Sequence, residues 1–173
     1  MLKITIKGLD RATTQVQAAV STGVQNALNV AGGEGERLVK EAISSPFLGR
    51  PNAIATGDLV NSITFQVSQE AGISRTTVFA AGLPGQYAGY VEAGTGRHFP
   101  PPSALLLWVE KKFGIKNQKE AMAIAVRVAW GIYHRGTPGF GMFAHAFAKL
   151  EPQLLGIFQA QIAKAIEAAG AAK

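Results

Sequence analysis

The chain has 173 residues, a formal net charge of +6, a pI near 9.8 and no cysteine, which excludes disulfide frameworks and thiolate metal centres. That length suits one domain burying about two thirds of its unfolded surface, and no stretch approaches the ~20 consecutive apolar residues of a membrane-spanning helix, so a soluble protein folded in a reducing cytoplasm is expected. The basic charge selects no partner by itself, because apart from Lys111, Lys112, Lys116 and Lys119 the basic residues are scattered.

In chain order, Leu2, Ile4 and Ile6 alternate with Lys3, Thr5 and Lys7, the pattern of a strand over residues 2–7 and not of a signal peptide. From Arg11 to Ile43 the apolar positions Val16, Val20, Val24, Ala27, Ala31, Leu38 and Ala42 recur at helical steps. Two readings stay open: one helix of about 50 Å, longer than the ~40 Å expected for a compact chain of this size, or two helices broken at Gly32, Gly33 and Gly35. Residues 44–58 form a long connection carrying apolar Phe47, Leu48 and Ile54, which points to an assembly arm lying on a neighbouring subunit, with a plain mobile loop as the alternative.

Ile63–Ser68 and Thr76–Leu83 read as strands joined by a turn at Gly72, and Pro84-Gly85 leads into a third at Tyr87–Glu92. With the N-terminal strand as a fourth member, the expected fold is a single α+β domain over residues 1–173, an antiparallel sheet of about four strands packed against the long N-terminal helix. Further helices fill the C-terminal half. One runs from a cap at Ser103 to Lys112, anchored by Trp108 and stopped by Gly114; another covers Gln118–His134 and is apolar enough to be buried on several sides, in a core or a subunit contact. The last two span Phe143–Leu150 and Pro152–Ala169, with Leu154, Phe158, Ile162 and Ile166 as the stripe that faces protein.

The residues offer no catalytic, metal or cofactor site. His98, His134 and His145 lack ligand spacing. Glu92, beside a glycine turn, suits a structural ion pair with Arg97 or Arg75 better than a general base, and Gly94-Thr-Gly-Arg97 lacks the Gly-Lys-Ser/Thr ending of a phosphate loop. No enzyme activity is expected.

Four pieces follow one another in a set order: Thr56-Gly-Asp-Leu-Val-Asn-Ser-Ile63, Tyr87-Ala-Gly-Tyr-Val-Glu-Ala-Gly-Thr-Gly96, Pro100-Pro-Pro102 leading into Leu105–Gly114, and Arg135-Gly-Thr-Pro-Gly-Phe-Gly-Met-Phe143 before an amphipathic helix. Over residues 2–166 this series resembles the tail-completion or head-tail joining proteins of long-tailed bacteriophages, also called neck or minor tail proteins. Where that family usually places a proline before the phenylalanine opening the last helix, this chain has Met142 before Phe143. The resemblance implies a structural virion subunit, made in the bacterial host cytoplasm. It is expected to form a homo-oligomeric, hexameric ring between the head connector or stopper and the tail tube, around a channel for genomic DNA.

Phe47, Leu48, Tyr87, Tyr90, Thr95 and Arg97 are the candidate interface residues, because aromatic and arginine side chains contribute disproportionately between proteins; ordinary sheet core is the alternative for the two tyrosines. Lys111, Lys112, Lys116 and Lys119 are candidates for an acidic protein surface or for non-specific contact with DNA phosphates. Two other roles stay open: another minor tail or tube subunit on the same fold, and a DNA-binding accessory protein.

Overall fold

The computed structural model describes residues 9–46 and 56–171. Its elements in chain order are α1 (Leu9–Ser44), α2 (Asp58–Ser62), β1 (Ile63–Glu70), β2 (Ile73–Ala80), α3 (Gly82–Ala93), β3 (Gly94–Thr95), α4 (Pro102–Phe113), α5 (Gln118–Arg135), β4 (Thr137–Pro138) and α6 (Met142–Ala171). The expected N-terminal strand and the arm residues Phe47, Leu48 and Ile54 lie outside the described residues.

The fold is mixed α and β but mostly helical, and its frame is the antiparallel pair α1 and α6. Of the two readings of the first segment, the single long helix is correct: α1 runs unbroken through Gly32, Gly33 and Gly35, about 54 Å at 1.5 Å per residue. The glycines are contact points instead of breaks. A Cβ on Gly32 would strike the Phe65 ring and stand 2.6 Å from the Thr76 hydroxyl, and one on Gly35 would stand 3.0 Å from Val78, so their bareness lets the hairpin lie directly on the helix. The buried stripe of α1 includes Ala19, Gly23, Ala27, Ala31, Gly35 and Val39, whereas Val16 is half exposed. Small residues at four-residue steps bring α1 and α6 close enough that a Cβ on Gly23 would stand 2.6 Å from the Ile162 Cα.

Across the same pair, Lys149 on α6 reaches Glu41 at 3.1 Å, and Arg37 meets Glu41 and Glu34 at 2.9 and 2.7 Å. The Glu41 carboxyl is held below its ordinary range, first by the hydrogen bond from Lys149 and then by that from Arg37. Because its folded value is the depressed one, this small surface contribution is present at neutral pH and fades as the pH falls through the lowered value.

Among the described residues two strands form the main sheet: β1 and β2 pair antiparallel from Ile63↔Ala80 to Glu70↔Ile73, across the turn Ala71-Gly72. The expected third strand, Tyr87–Glu92, is helical, so that member of the expected four-stranded sheet is corrected, and the described residues show a hairpin plus a two-residue ladder between β3 and β4. The reason lies in spacing. Tyr87, Tyr90 and Val91 satisfy i, i+3, i+4 as well as they satisfy a short apolar strand, and Pro84 sits in the first turn of α3, where its missing N–H costs no hydrogen bond. The strand expected to run to Leu83 accordingly ends at Ala80.

In the C-terminal half Pro102 occupies the first turn of α4 after Pro101 at the cap, so Ser103 lies inside the helix and is not its cap; Gly114, at φ +68°, ends it as expected. Asn117 caps α5 by accepting from the Lys119 and Glu120 amides at 3.0 and 3.3 Å. The two helices expected at the end of the chain are one, α6, which passes through Pro152. The ring removes the bond to the Ala148 carbonyl, and both residues face solvent, so water replaces it.

The main core gathers Leu38, Ile43, Leu59, Ile63, Ala88, Met142 and Leu150. A smaller one, built on Val109, Ala121 and Ala125, holds α4 and α5 to each other. Only the alanine stripe of α5 (Ala121, Ala125, Ala129) is buried, so the expectation of burial on several sides is corrected: Met122, Trp130 and Tyr133 are exposed. Among the described residues no helix is long and apolar enough to cross a membrane.

Candidate interaction surface

Two of the pieces singled out in the sequence meet in space. Thr95 and Gly94 of β3 pair with Thr137 and Pro138 of β4, and the Phe140 and Gly141 amides donate to the Val91 and Glu92 carbonyls at 2.7 and 3.1 Å. Backbone passes so close to backbone that only glycine fits. A Cβ on Gly94 would strike the Thr137 carbonyl and stand 2.5 Å from the Gly139 nitrogen, one on Gly136 would strike the Thr95 carbonyl, and one on Gly139 would strike the Glu92 carbonyl. Gly94 (φ 80°, ψ −174°) and Gly136 (φ 69°, ψ −166°) also occupy a region that essentially only glycine enters.

Glu92 completes this seam. Its carboxylate accepts from the Phe143 and Ala144 amides at 2.9 and 3.0 Å, capping the N-terminus of α6 where bare amides and the helix dipole favour an anion. The expected ion pair with Arg97 or Arg75 is absent among the described residues, and capping is the role found instead. Glu92→Ala is expected to lower stability by about 1–2 kcal/mol in a denaturant titration, and Glu92→Gln, which keeps an acceptor but no charge, by less.

The seam positions an open apolar surface. A groove of about 540 Å³ runs between α3, the loop after β3, α4 and β4, lined among others by Tyr87, Tyr90, Thr95, His98, Trp108 and Phe140. A second, of about 1030 Å³, shares Leu105, Trp108, Ile132, Thr137 and Pro138 with it and carries Arg127 and Arg135. Of the predicted interface residues, Tyr87, Tyr90 and Thr95 thus come together in the first groove. Both tyrosines are exposed, at 40% and 65%, which answers the alternative of ordinary core. The Tyr87 phenol is pushed above its ordinary value by burial and then by the Asp58 carboxylate, so it stays a neutral hydroxyl at physiological pH. The Thr95 hydroxyl is buried beneath the groove, without a hydrogen-bond partner among the described residues. Arg97 stands in the exposed loop next to the groove without lining it. Phe47 and Leu48 are outside the described residues.

Sequence reasoning missed a third component. Phe99 meets Trp130 and Tyr133 edge-on, with ring centres 5.3 and 6.4 Å away, and His134 stacks on Trp130 at 5.9 Å; Phe99, Trp130 and Tyr133 are each 45–50% exposed. The signal was present in the alanines at 121, 125 and 129, which mark the contact stripe of α5 and leave Trp130 and Tyr133 on other sides of it. The four lysines share one end of the α4–α5 pair: Lys111 and Lys112 in the last turn of α4, Lys116 in the connection and Lys119 in the first turn of α5. All are exposed except Lys112, which is half-buried and lines the first groove.

Among the described residues no group of three or more His, Asp or Glu side chains could hold a metal ion. Comparison with family models, curated proteins and solved structures matched nothing.

Proposed function

We propose that the chain is a structural subunit of a tailed bacteriophage, assembling as a ring at the head-tail junction, where it joins the tail tube to the capsid connector around the DNA channel. The observation that carries the contact part of this reading is the exposure of two aromatic groups, Tyr87, Tyr90 and Trp108 in the first groove and the cluster of Phe99, Trp130 and Tyr133. Exposed aromatics in this number are characteristic of a surface that another protein covers. The viral setting rests on the sequence resemblance. Its Tyr87–Gly96 and Arg135–Phe143 pieces supply the two sides of the glycine seam that holds this face. A ring uses heterologous contacts, one patch on each copy against a different patch on the next, and a molecule with a long helical frame and a lateral aromatic face offers two such patches.

Particles made without the chain should accumulate filled heads and finished tails that do not join, and adding the purified chain should restore joining. The double variant Trp130→Glu, Tyr133→Glu should fold as the parent does, judged by circular dichroism, yet join at least about tenfold less efficiently. Joining by heads and tails that lack the chain, or full activity of the variant, would overturn the reading.

A further inference from the structure

The hairpin has an edge that the described chain does not use. Each of β1 and β2 has one strand neighbour, so each has an outer edge without a strand among the described residues. In the antiparallel ladder, the bond from the Ala81 amide to the Ser62 carbonyl sets the alternation: Thr64, Gln66, Ser68 and Glu70 bond to β2, and the N–H and C=O groups of Phe65, Val67 and Gln69 point outward. Natural edges of this length are usually blunted by lysine, proline or a bulge, and β1 has none of these through eight regular pairs.

We propose that residues 2–7 of one copy add as a third strand to the β1 edge of a neighbouring copy. The alternation of Leu2, Ile4 and Ile6 with Lys3, Thr5 and Lys7 fits a strand covered on one face and wet on the other. The edge offers both. Phe65 and Val67 face α1, continuing an apolar row, while Thr64, Gln66, Ser68 and Glu70 face away from it, where Glu70 complements the lysines. The β2 edge suits the segment less well: its outer row carries Arg75, a like charge, and its Val78 lies against Gly35 beside Leu150 of α6.

Reach disfavours pairing of the whole 2–7 segment within one copy. The hairpin lies along α1 with Ser74, near its tip, bonded to Gln25 at 3.1 Å, and its base at Ile63 beside Ile43 in the core. From Leu9 to Gln25 is about 24 Å of helix, and the tip at Gly72 shortens the gap by about 7 Å. Bridging the remaining ~17 Å takes about five extended residues, so the six residues 2–7 cannot run as a whole strand along the edge of their own copy. A neighbour placed beside the N-terminal end of α1 has no such restriction.

This rests on the self-association in the reading above but not on its viral setting. The test is amide hydrogen exchange by NMR on the full chain across a dilution series, beside a variant lacking residues 2–7, with size measured by light scattering. In the assembled full chain the Phe65, Val67 and Gln69 amides should exchange at least about tenfold more slowly than in the variant, while Thr64, Gln66 and Ser68 are protected in both; dilution should remove the difference, and the variant should lose the larger species. Assembly of the variant equal to the parent's, or protection independent of concentration, would overturn the strand contact and leave the ring standing. A full chain that stays monomeric at every concentration would overturn both.

Discussion

Gly94→Ala is expected to remove about 3 kcal/mol or more of stability, because two costs fall on one residue. The backbone at φ 80°, ψ −174° carries a penalty of about 1–3 kcal/mol for any residue with a Cβ. The added methyl also has nowhere to go, since the atoms it meets are the Thr137 carbonyl and the Gly139 nitrogen, backbone that cannot rotate aside as a side chain would. Opening the seam enough to admit it sacrifices the amide bonds from Phe140 and Gly141 to Val91 and Glu92 and moves the Glu92 cap away from α6. For a chain of this size the loss corresponds to a melting temperature lower by about 6–12 °C. Gly96→Ala, in the same short motif, is the control: its Cβ meets nothing within 4 Å and its φ is not positive, so the change should fall within about 0.5 kcal/mol. Equal losses at the two positions would refute the seam.

Gly23→Val is expected to cost about 2 kcal/mol or more, by separating the two helices of the frame. Its Cβ would stand 2.6 Å from the Ile162 Cα and 3.1 Å from the Gln161 carbonyl, so α1 and α6 must part along a seam of small residues that depends on close approach. The lost dispersion contacts outweigh the roughly 0.5 kcal/mol by which valine is the better helix former than glycine. Gly156→Ala reverses the sign. That glycine is an exposed residue of α6 where an added methyl would meet nothing within 4 Å, so replacing it should stabilise the chain by about 0.5–1 kcal/mol. Chemical denaturation of the two variants side by side tests whether glycine in these helices marks packing or merely flexibility.

The long helices and the hairpin were legible because they repeat one period over many residues: Ile63–Ser68 alternates without exception, and α1 holds its helical step from Ala19 to Ile43. The register of α1 was harder to read. Valines 16, 20 and 24 stand out as the apolar positions, yet the seam runs through alanines and glycines, whose value is the closeness they permit and not the area they bury. Tyr87–Glu92 differs from its expected form for another reason, since six residues with apolar groups at both two- and three-residue steps satisfy a strand and a helix equally, and the deciding contacts come from Phe140 and Gly141, about fifty positions away. The tyrosines are identifiable as candidate contact residues through their chemistry, even though the element carrying them is a helix and not the expected strand. Trp130 and Tyr133 were missed because a helix rich in alanine and valine looks interior on composition, whereas its far side is left exposed by the described residues.

The antiparallel arrangement of α1 and α6 puts Gln15 and Ala18 opposite Lys164 and Ala168, while Ile43 and Trp108 border a common groove far from them. The molecule is therefore polar in the geographic sense. The outer ends of α1 and α6 lie at one pole, about 50 Å of helix from Ile43 and the groove it shares with Tyr87 and Trp108. Fluorophores in the first turns of α1 and the last turns of α6 would sit near each other and report only on that pole, so a sensor of events at Trp108 has to be attached within the α4–α5 pair itself.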